Sequence, residues 1–388
     1  MASLHQTPFP QHHGGKHHGN HHDKAEDNDS NHNNDSDTEN NYTLTKSDRP
    51  YTLSHKIHFL RKSPCDGKRI PISPFHDIPL FHSKPHGIYN MIVEIPRWSQ
   101  AKFEISRSLP LNPISQDTLS SHPSRPRFVH NLFPYKGYIW NYGCLPQTWE
   151  SPHHSHRDTP GHKGDNDPID ACEIGSRVAY TGEVKQVKVL GILGLLDEGE
   201  TDWKVLVVDV RDKLAGRLDD VEDVRRECPG LLEATRDWFR WYGVPEGRKR
   251  NRYAMGGRWM GRGYAEGVIK ECEGFWRKLV RGEVEGSEDI CLKNTTLDGT
   301  PGKCDPSSVK LPPNEDLPPA EVEQDLDEVA YVDREKRDDD EDEGDDKEDS
   351  MTNDYRKDNL TNDDEEKNLM NDITLNNLKT LNINLTFW

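Results

Sequence analysis

The sequence lacks long apolar runs, paired cysteines and an apolar N-terminal segment. The longest apolar run, Val187 to Leu196, is interrupted by Gly191 and Gly194 and is much shorter than the ~20 residues that a membrane-spanning helix needs. The seven cysteines include no Cys-x-x-Cys pair, which is typical of reduced thiols and not of a disulfide framework or a zinc site. Neither a secretory signal nor an Arg-rich, acid-poor mitochondrial presequence fits the first residues. We therefore expect no membrane partner and a cytoplasmic location, with the nucleus as the alternative.

The chain carries a formal charge of −19, but its acidic residues are concentrated at the two ends. Residues 1–50 hold four basic and eight acidic side chains, and residues 281–388 hold 12 basic and 32 acidic ones. The remaining residues, 51–280, hold 34 basic and 29 acidic side chains and are slightly basic. Since domains usually comprise ~50–250 residues, we expect one folded domain over residues 51–320, between disordered tails at 1–50 and 321–388.

The two predicted tails differ in composition. The first is rich in His, Asn and Asp, and its eight histidines could bind a transition metal, although solvated low-complexity sequence is the simpler interpretation. The second contains the acidic run 338–343, which cannot fold on itself and could bind a basic protein such as a histone. The last residues, 377–388, are apolar and Asn-rich, and docking of this segment onto the domain stays open.

Short apolar runs separated by Pro and Gly predict strands in the first part of the folded domain. The predicted strands are residues 90–95, 102–105, 127–130, 137–140, 177–180, 184–193 and 203–210. We expect them to close on one another as a barrel. Apolar residues at helical spacing appear only later, and they predict helices over residues 231–242 and 264–279. The sequence therefore predicts a mainly β (α+β) fold.

Three carboxylates fall close together in residues 164–170, which read GDNDPID. Asp165 and Asp167 point to the same side of an extended chain, and a turn at Pro168 brings Asp170 back towards them. Such convergence is costly unless cations neutralise it, and Mg²⁺ prefers carboxylate oxygens as ligands. Taken alone, the segment is as consistent with a solvated turn as with a metal site.

A second acidic cluster, residues 197–202, favours the metal site. Asp202 is expected to share a strand face with Lys204, and Lys102 with Glu104. The alternative for each pair is a surface ion pair, worth only about 0–1 kcal/mol. No Gly-rich phosphate loop, G-x-S-x-G nucleophile elbow or Cys/His nucleophile arrangement competes with this interpretation. Clustered carboxylates beside cations indicate a site for polyvalent metals and a phosphate-like anion.

These residues resemble the soluble, Mg²⁺-dependent inorganic pyrophosphatases of family I, in the longer eukaryotic form. The resemblance covers roughly residues 50–320, and its motifs are MIVEIPR at 91–97, NPISQDT at 112–118, DNDPID at 165–170, YTGEVK at 180–185 and DEGETDWK at 197–204. It implies a five-stranded OB-like closed barrel with flanking helices. It also implies hydrolysis of inorganic pyrophosphate to two orthophosphates by a metal-activated water, several Mg²⁺ ions, and a homodimer without a nucleic-acid partner.

The resemblance implies metal-binding roles for five acidic residues. Asp165, Asp170 and Asp202 match the ligands of one activating Mg²⁺, and Asp170 also reaches a second ion. Asp197 matches the ligand of a further ion that arrives with the substrate. Glu104 matches a carboxylate that holds another ion through water.

The resemblance implies catalytic roles for six further residues. Asp167 matches the residue that accepts a proton from the attacking water. The remaining matches are contacts to phosphate: Lys102, Arg127, Tyr142, Lys204 and Tyr242.

One position departs from the family pattern. The family has a phosphate-binding lysine directly after the tyrosine that matches Tyr242, whereas here Gly243 follows. Losing such a contact would cost about 2–4 kcal/mol of transition-state binding, unless one of the next cations replaces it: Arg248, Lys249, Arg250 or Arg252. We expect an active but slower enzyme. The alternative is a catalytically weakened binding protein that keeps the barrel while its acidic tail engages basic partners such as histones.

Overall fold

The computed structural model describes residues 41–64, 66–119, 121–285, 287–322 and 324–334. Residues before 41 and the acidic run 338–343 lie outside the described residues, so the predicted disorder of both tails stays a prediction.

Strands dominate the first two thirds of the fold, and helices follow. The strands, numbered in chain order, are β1 Tyr42–Ser47, β2 Lys56–Lys62, β3 Arg69–Ile72, β4 Phe81–Ser83, β5 Ile88–Ile95, β6 Phe103–Ile105, β7 Ile114–Gln116, β8 Thr118–Leu119, β9 His122–Pro126, β10 Asn131–Leu132, β11 Asn141–Cys144, β12 Asp170–Glu173, β13 Val184–Asp197, β14 Glu200–Asp209, β15 Arg252–Tyr253, β16 Met260–Gly261 and β17 Val329–Ala330. The α-helices are α1 Val221–Glu227, α2 Leu231–Trp241 and α3 Arg262–Val280.

Five strands pair in a closed cycle. β13 pairs with β14, β14 with β12, β12 with β11, β11 with β5, and β5 again with β13. The β12–β14 pairing is parallel and the other four are antiparallel. β13 closes the cycle because its first residues, 184–188, pair with β5 while residues 187–197 pair with β14. The predicted five-stranded closed barrel within a mainly β fold is confirmed.

A second sheet, in the order β1-β2-β7-β6 with β3 beside β2, covers part of the barrel. Alternation along β14 divides the core into two clusters. Leu206 and Val208 belong to a cluster that includes residues of the second sheet and of α2, whereas Val205 and Val207 belong to a cluster that includes residues of α3. Because successive side chains of a strand point to opposite faces, Lys204 lies on the same face as Leu206 and Val208.

The two predicted helices are confirmed as α2 and α3. Gly230 begins α2 in a left-handed conformation with φ 86°, which glycine adopts at little cost. Helix α1 was not predicted, because it is short and buries only Val221 and Val224. Within the described part of the chain, we find no helix with the length and apolar composition needed to cross a lipid bilayer.

Three predicted strands are wrong: residues 127–130, 137–140 and 177–180. In the first, Phe128 makes a single bridge to Ala101, and the other two are irregular. Apolar residues in these segments are nevertheless buried, because irregular chain also packs against the core: Val129, Tyr138, Trp140 and Ala179. The sequence signal was therefore correct for burial and wrong for strand pairing.

Regular structure extends past both predicted domain boundaries, at 50 and 320. β1 lies within the predicted N-terminal tail and pairs with β2 along its whole length. β17 lies within the predicted C-terminal tail and pairs with β10, and Gln100 Nε2 donates to the Leu326 carbonyl at 2.7 Å. Each strand is short and adjoins polar and acidic sequence, so composition alone did not distinguish them from the tails.

Candidate active site

A cavity of about 290 Å³ opens beside the starts of β12 and β14. Its lining contains every site residue singled out from the sequence: Lys102, Glu104, Arg127, Tyr142, Asp165, Asp167, Asp170, Asp197, Asp202, Lys204 and Tyr242. Residues that were far apart in the sequence therefore share one concave surface. The lining also includes two cations that were not selected as site residues, Arg107 and Arg248.

Strand pairing brings acids and a cation together at the centre of the cavity. Asp170, the first residue of β12, is the register partner of Lys204 on β14. Lys204 Nζ donates to Asp170 Oδ2 at 2.5 Å and to Asp202 Oδ2 at 2.6 Å. Lys204 Nζ also donates to the Tyr142 hydroxyl at 3.0 Å, and that hydroxyl donates to Asp170. The prediction that Asp202 and Lys204 share a strand face is confirmed.

The acidic segment 164–170 converges by a different route from the one expected. Asn166 has a left-handed conformation with φ 74°, so the segment is a turn and not an extended chain. Its side chain is held from both sides, because Oδ1 accepts from Trp149 Nε1 at 2.9 Å and Nδ2 donates to Asp289 Oδ2 at 2.8 Å. The turn at Asn166 thus directs the neighbouring carboxylates towards the cavity.

Three carboxylates, those of Glu150, Asp165 and Asp202, form an acidic cluster that Lys204 neutralises only in part. One oxygen from each lies within 4.8 Å of the others. Glu150 Oε2 and Asp202 Oδ1 are buried and have no hydrogen-bond partner among the described residues. Buried, unpaired carboxylate oxygens this close together are the donor set that a hard divalent cation requires.

Sequence reasoning did not select Glu150 as a site residue. Its side chain is 3% exposed, and Oε1 accepts from the backbone N–H of Trp203 at 2.8 Å. The available signal was a carboxylate at the end of an otherwise uncharged turn, PQTWE. Only the folded chain brings that turn beside β14.

Burial and mutual repulsion raise the proton affinity of the acidic cluster. Burial, followed by the charges of Asp165 and Asp202, raises the pKa of Glu150 well above its usual range. Burial and then Asp202 and Asp167 raise the pKa of Asp165. Burial raises the pKa of Asp202 to about 7, although Lys204 opposes the shift. The cluster therefore lacks enough positive charge from the protein, and the residues present fit a divalent cation.

Asp167 lies at the side of the cluster, close to a cation that the sequence did not indicate. Arg107 Nε lies 3.4 Å from Asp167 Oδ1, and Arg107 Nη1 donates to the Asp165 carbonyl at 3.3 Å. Burial raises the pKa of Asp167 to about 7, with Arg107 opposing the shift and Glu104 adding to it. Arg107 thus joins the Asp167 carboxylate to the backbone of the acidic turn.

Two further cations of the cavity lining are held in position by acidic residues. Lys102 Nζ donates to Glu104 Oε2 at 2.8 Å and to Asp117 Oδ2 at 3.0 Å. Arg127 binds Asp117 through Nη1 at 3.1 Å and Glu246 through Nη2 at 2.9 Å. Both cations line the cavity, so these contacts are ion pairs within the site and not isolated surface pairs.

Tyr242 follows the end of α2 and carries a hydroxyl into the cavity. This hydroxyl donates to Asp197 Oδ2 at 2.6 Å, and the ring stacks on Trp238 with centroids 4.9 Å apart. Burial and then Asp197 raise the pKa of Tyr242 to about 12. The phenol therefore stays protonated near neutral pH and remains a hydrogen-bond donor.

The chain is similar to known proteins over most of its length. The family model described as inorganic pyrophosphatase matches residues 91–277. The inorganic pyrophosphatase of Yarrowia lipolytica is 50% identical over 291 residues, which are 75% of this chain and 97% of that protein. The chain belongs to the inorganic pyrophosphatase family. The part that matches the inorganic pyrophosphatase model contains all eleven site residues taken from the sequence.

Solved inorganic pyrophosphatases have the same fold. The structure from Schistosoma japonicum is 40% identical, covers 75% of this chain and 100% of its own, and superposes with a TM-score of 0.69. The vacuolar soluble pyrophosphatase of Trypanosoma cruzi, lacking its N-terminal domain and solved in complex with PPi, is 39% identical with a TM-score of 0.57. It covers 61% of this chain and 90% of its own.

Proposed function

We propose that this chain hydrolyses inorganic pyrophosphate to two orthophosphates and requires Mg²⁺. The observation that carries the proposal is the acidic cluster, which the protein neutralises only in part and which shares one cavity with Lys102, Arg127 and Lys204. A pyrophosphate complexed with divalent cations carries the positive charge that the acidic cluster lacks and the negative charge that the three cations bind. The related Trypanosoma cruzi enzyme, solved in complex with PPi, supports this substrate.

The residues that would hold Mg²⁺ are Asp165, Asp170 and Asp202, with Asp170 shared by a second ion. The geometry adds Glu150, because one of its carboxylate oxygens lies within 4.8 Å of one oxygen each of Asp165 and Asp202. Asp197 and Glu104 would hold the remaining ions, one directly and one through water. Bound Mg²⁺ supplies positive charge for the phosphate oxygens and makes water a stronger acid.

Asp167 accepts the proton of the attacking water. Its carboxylate lines the cavity next to the acidic cluster, as a general base must. Arg107, 3.4 Å away, holds this carboxylate in place and limits its rotation. The base is therefore fixed beside the position where water would attack one phosphorus in line with the leaving phosphate.

The cations and phenols of the cavity bind the phosphate groups. Lys102, Arg127 and Lys204 stabilise negative charge that increases on the leaving phosphate as the bond breaks. The Tyr142 and Tyr242 hydroxyls, which donate to Asp170 and Asp197 before substrate binds, would turn to donate to phosphate oxygens, and the raised pKa of Tyr242 keeps its hydroxyl protonated near neutral pH. Lys102, Arg127 and Lys204 are anchored by carboxylates before substrate binds, so these cations need little reorganisation.

A phosphate-release assay tests the proposal with a matched pair of substitutions. The purified full chain should release orthophosphate from pyrophosphate with Mg²⁺ and not with EDTA. Asp167→Asn should lower kcat by about 10²- to 10⁴-fold, the usual contribution of a general base. Asp298→Asn is the control, because it makes the same chemical change on a side chain that is 92% exposed. Absence of turnover in the wild-type protein over a wide range of Mg²⁺ concentrations would contradict the proposal.

The proposal includes a homodimer, as the family resemblance implies. Trp98 is 55% exposed, and Phe133, 52% exposed, stacks on Tyr331 at the surface. Large exposed aromatic side chains are typical of contact surfaces. Sedimentation equilibrium of the wild-type protein and of Trp98→Ala tests this part. A monomeric wild-type protein at micromolar concentration would contradict it.

Two further predictions, a basic protein partner and the location in the cell, are not tested by the described residues. A basic protein partner of the acidic run 338–343 stays a prediction, as does the cytoplasmic location. The alternative of a weakened binding protein has no support among the described residues.

A further inference from the structure

Arg248 lies on the cavity wall with part of its guanidinium unpaired. Its side chain is 17% exposed. Nη1 donates to Asp197 Oδ1 at 3.3 Å and to Glu198 Oε2 at 3.2 Å. Within the described part of the chain, Nε and Nη2 are buried without a hydrogen-bond acceptor. Since it is unfavourable to bury a donor without an acceptor, this edge indicates a ligand that the protein itself does not supply.

The two unpaired atoms form one edge of the planar guanidinium group. Nε and Nη2 point their N–H bonds in nearly parallel directions, and such a pair matches two oxygens of one phosphate group. The ring of Tyr242 lies 4.9 Å from Arg248 Cζ and supports the guanidinium plane. The side chain is thus held by carboxylates at one nitrogen and by an aromatic ring on one face.

Gly243 makes this position of Arg248 available. After Gly243 the chain turns back, and the backbone N–H of Arg248 donates to the Gly243 carbonyl at 3.2 Å. A Cβ atom at residue 243 would lie 2.6 Å from Arg248 Nε and 3.0 Å from Nη2. Both distances are shorter than van der Waals contact, so any side chain at residue 243 would displace the Nε–Nη2 edge. The absence of a side chain at residue 243 therefore permits the placement of Arg248.

We propose that Arg248 binds a phosphate group of the substrate through its Nε–Nη2 edge and that Gly243 is required for this contact. The inference rests on the proposed function, because it assigns a further substrate-binding residue to the same cavity. Asp197 and Glu198 hold Nη1, which leaves the other two nitrogens available. Among the cations that follow Tyr242 within the described residues, Arg248 is the one that lines the cavity. It replaces the phosphate-binding cation that the resemblance leads one to expect next to Tyr242.

Variants of both residues test the proposal. Arg248→Gln should lower kcat/KM for pyrophosphate by about 10- to 100-fold, because a hydrogen bond to a charged group contributes about 1.5–3 kcal/mol. It should also weaken the binding of inorganic phosphate, measured by calorimetry with Mg²⁺, by a similar factor. Arg248→Lys should recover part of both losses, and Gly243→Ala should reduce both to a smaller extent. The control is Arg240→Gln. It makes the same chemical change in a guanidinium that also lies over a tyrosine ring, that of Tyr253, at 5.5 Å.

The outcomes separate this inference from the proposed function. If the wild-type protein hydrolyses pyrophosphate and Arg248→Gln changes neither kcat/KM nor phosphate affinity, the role of Arg248 is refuted. If Gly243→Ala matches the wild-type protein in both measurements, the role of Gly243 is refuted. If the wild-type protein has no activity, the proposed function fails, and the calorimetric comparison still decides whether Arg248 binds phosphate. Should Arg248→Gln not fold, as judged by circular dichroism, Arg248→Lys and Gly243→Ala provide the same test.

Discussion

Two buried groups of charged residues lie at opposite ends of the same pair of strands, β12 and β14. The acidic cluster described above lies where the strands begin. Where they end, Lys185 Nζ lies 2.8 Å from Asp209 Oδ2 and 3.3 Å from Glu173 Oε2. We call these three residues the internal ion cluster. By strand alternation it lies on the opposite face from Lys204.

The two clusters differ in how fully the protein satisfies them. In the internal ion cluster, Glu173 Oε1 accepts from the Asp209 N–H at 3.1 Å, and Oε2 accepts from Asn141 Nδ2 at 2.7 Å. Asp209 Oδ2 also accepts a hydrogen bond from Arg211 Nη2 at 2.9 Å. Although burial opposes it, hydrogen bonds from Arg211 and Lys185 lower the pKa of Asp209 to about 2.

The acidic cluster shows the opposite behaviour. Its carboxyl groups have raised pKa values and keep unpaired oxygens within the described structure. Burial of carboxylates is therefore not itself a sign of function. The sign is burial without enough positive charge from the chain, because such a site is complete only with an external cation.

The largest expected effect is the loss of the cation from the internal ion cluster. Lys185→Met should lower the free energy of unfolding by about 3–5 kcal/mol, because Glu173 and Asp209 would keep buried charge without their shared partner. Urea denaturation measures this change. Asp202→Asn is the matched comparison, and it should be neutral or stabilising without Mg²⁺, because it relieves repulsion. Equal destabilisation by both substitutions would remove the distinction between the clusters.

Mg²⁺ should stabilise the protein through the carboxylates of the cavity and not through the internal ion cluster. At a concentration of 100 times Kd, a bound ion adds about 2.7 kcal/mol to the free energy of unfolding. The thermal midpoint of the wild-type protein should therefore rise with Mg²⁺, and Asp202→Asn should lose most of this increase. Lys185→Met should keep this increase, although its thermal midpoint without Mg²⁺ is lower than that of the wild-type protein. An Mg²⁺ response in Asp202→Asn as large as that of the wild-type protein would contradict the assignment.

The smallest expected effect is on acid stability. The pKa of Asp209, about 2 in the folded protein, lies below its ordinary value of 3.8. Its stabilisation is therefore complete above pH 3.8 and is lost as the pH falls through 2. Between pH 4 and 2, urea midpoints of Asp209→Asn should fall less steeply than those of the wild-type protein. Parallel curves would show that Asp209 titrates alike in the folded and unfolded states.

Residues at strand spacing or within family motifs were predictable, and two residues from separate loops were not. The pairing of Asp202 with Lys204 follows from strand alternation, which local sequence already reveals. Glu150 and Arg107 could not be found in this way, because each reaches the cavity from a separate loop. Gly243 was visible as a departure from the family pattern, but the compensating cation was one of four candidates until the turn brought Arg248 beside it.

The sequence by itself determined the class of chemistry. Clustered Asp residues, cations at strand spacing and family motifs sufficed to predict a metal-dependent site for a phosphate-like anion, a closed barrel and the late helices. These features depend on short-range spacing, which the chain carries without being folded. The tertiary structure decided which carboxylates remain unneutralised and which cation fills the space beside Gly243. Those properties depend on distances between segments far apart in the sequence, and these distances exist only once the barrel has closed.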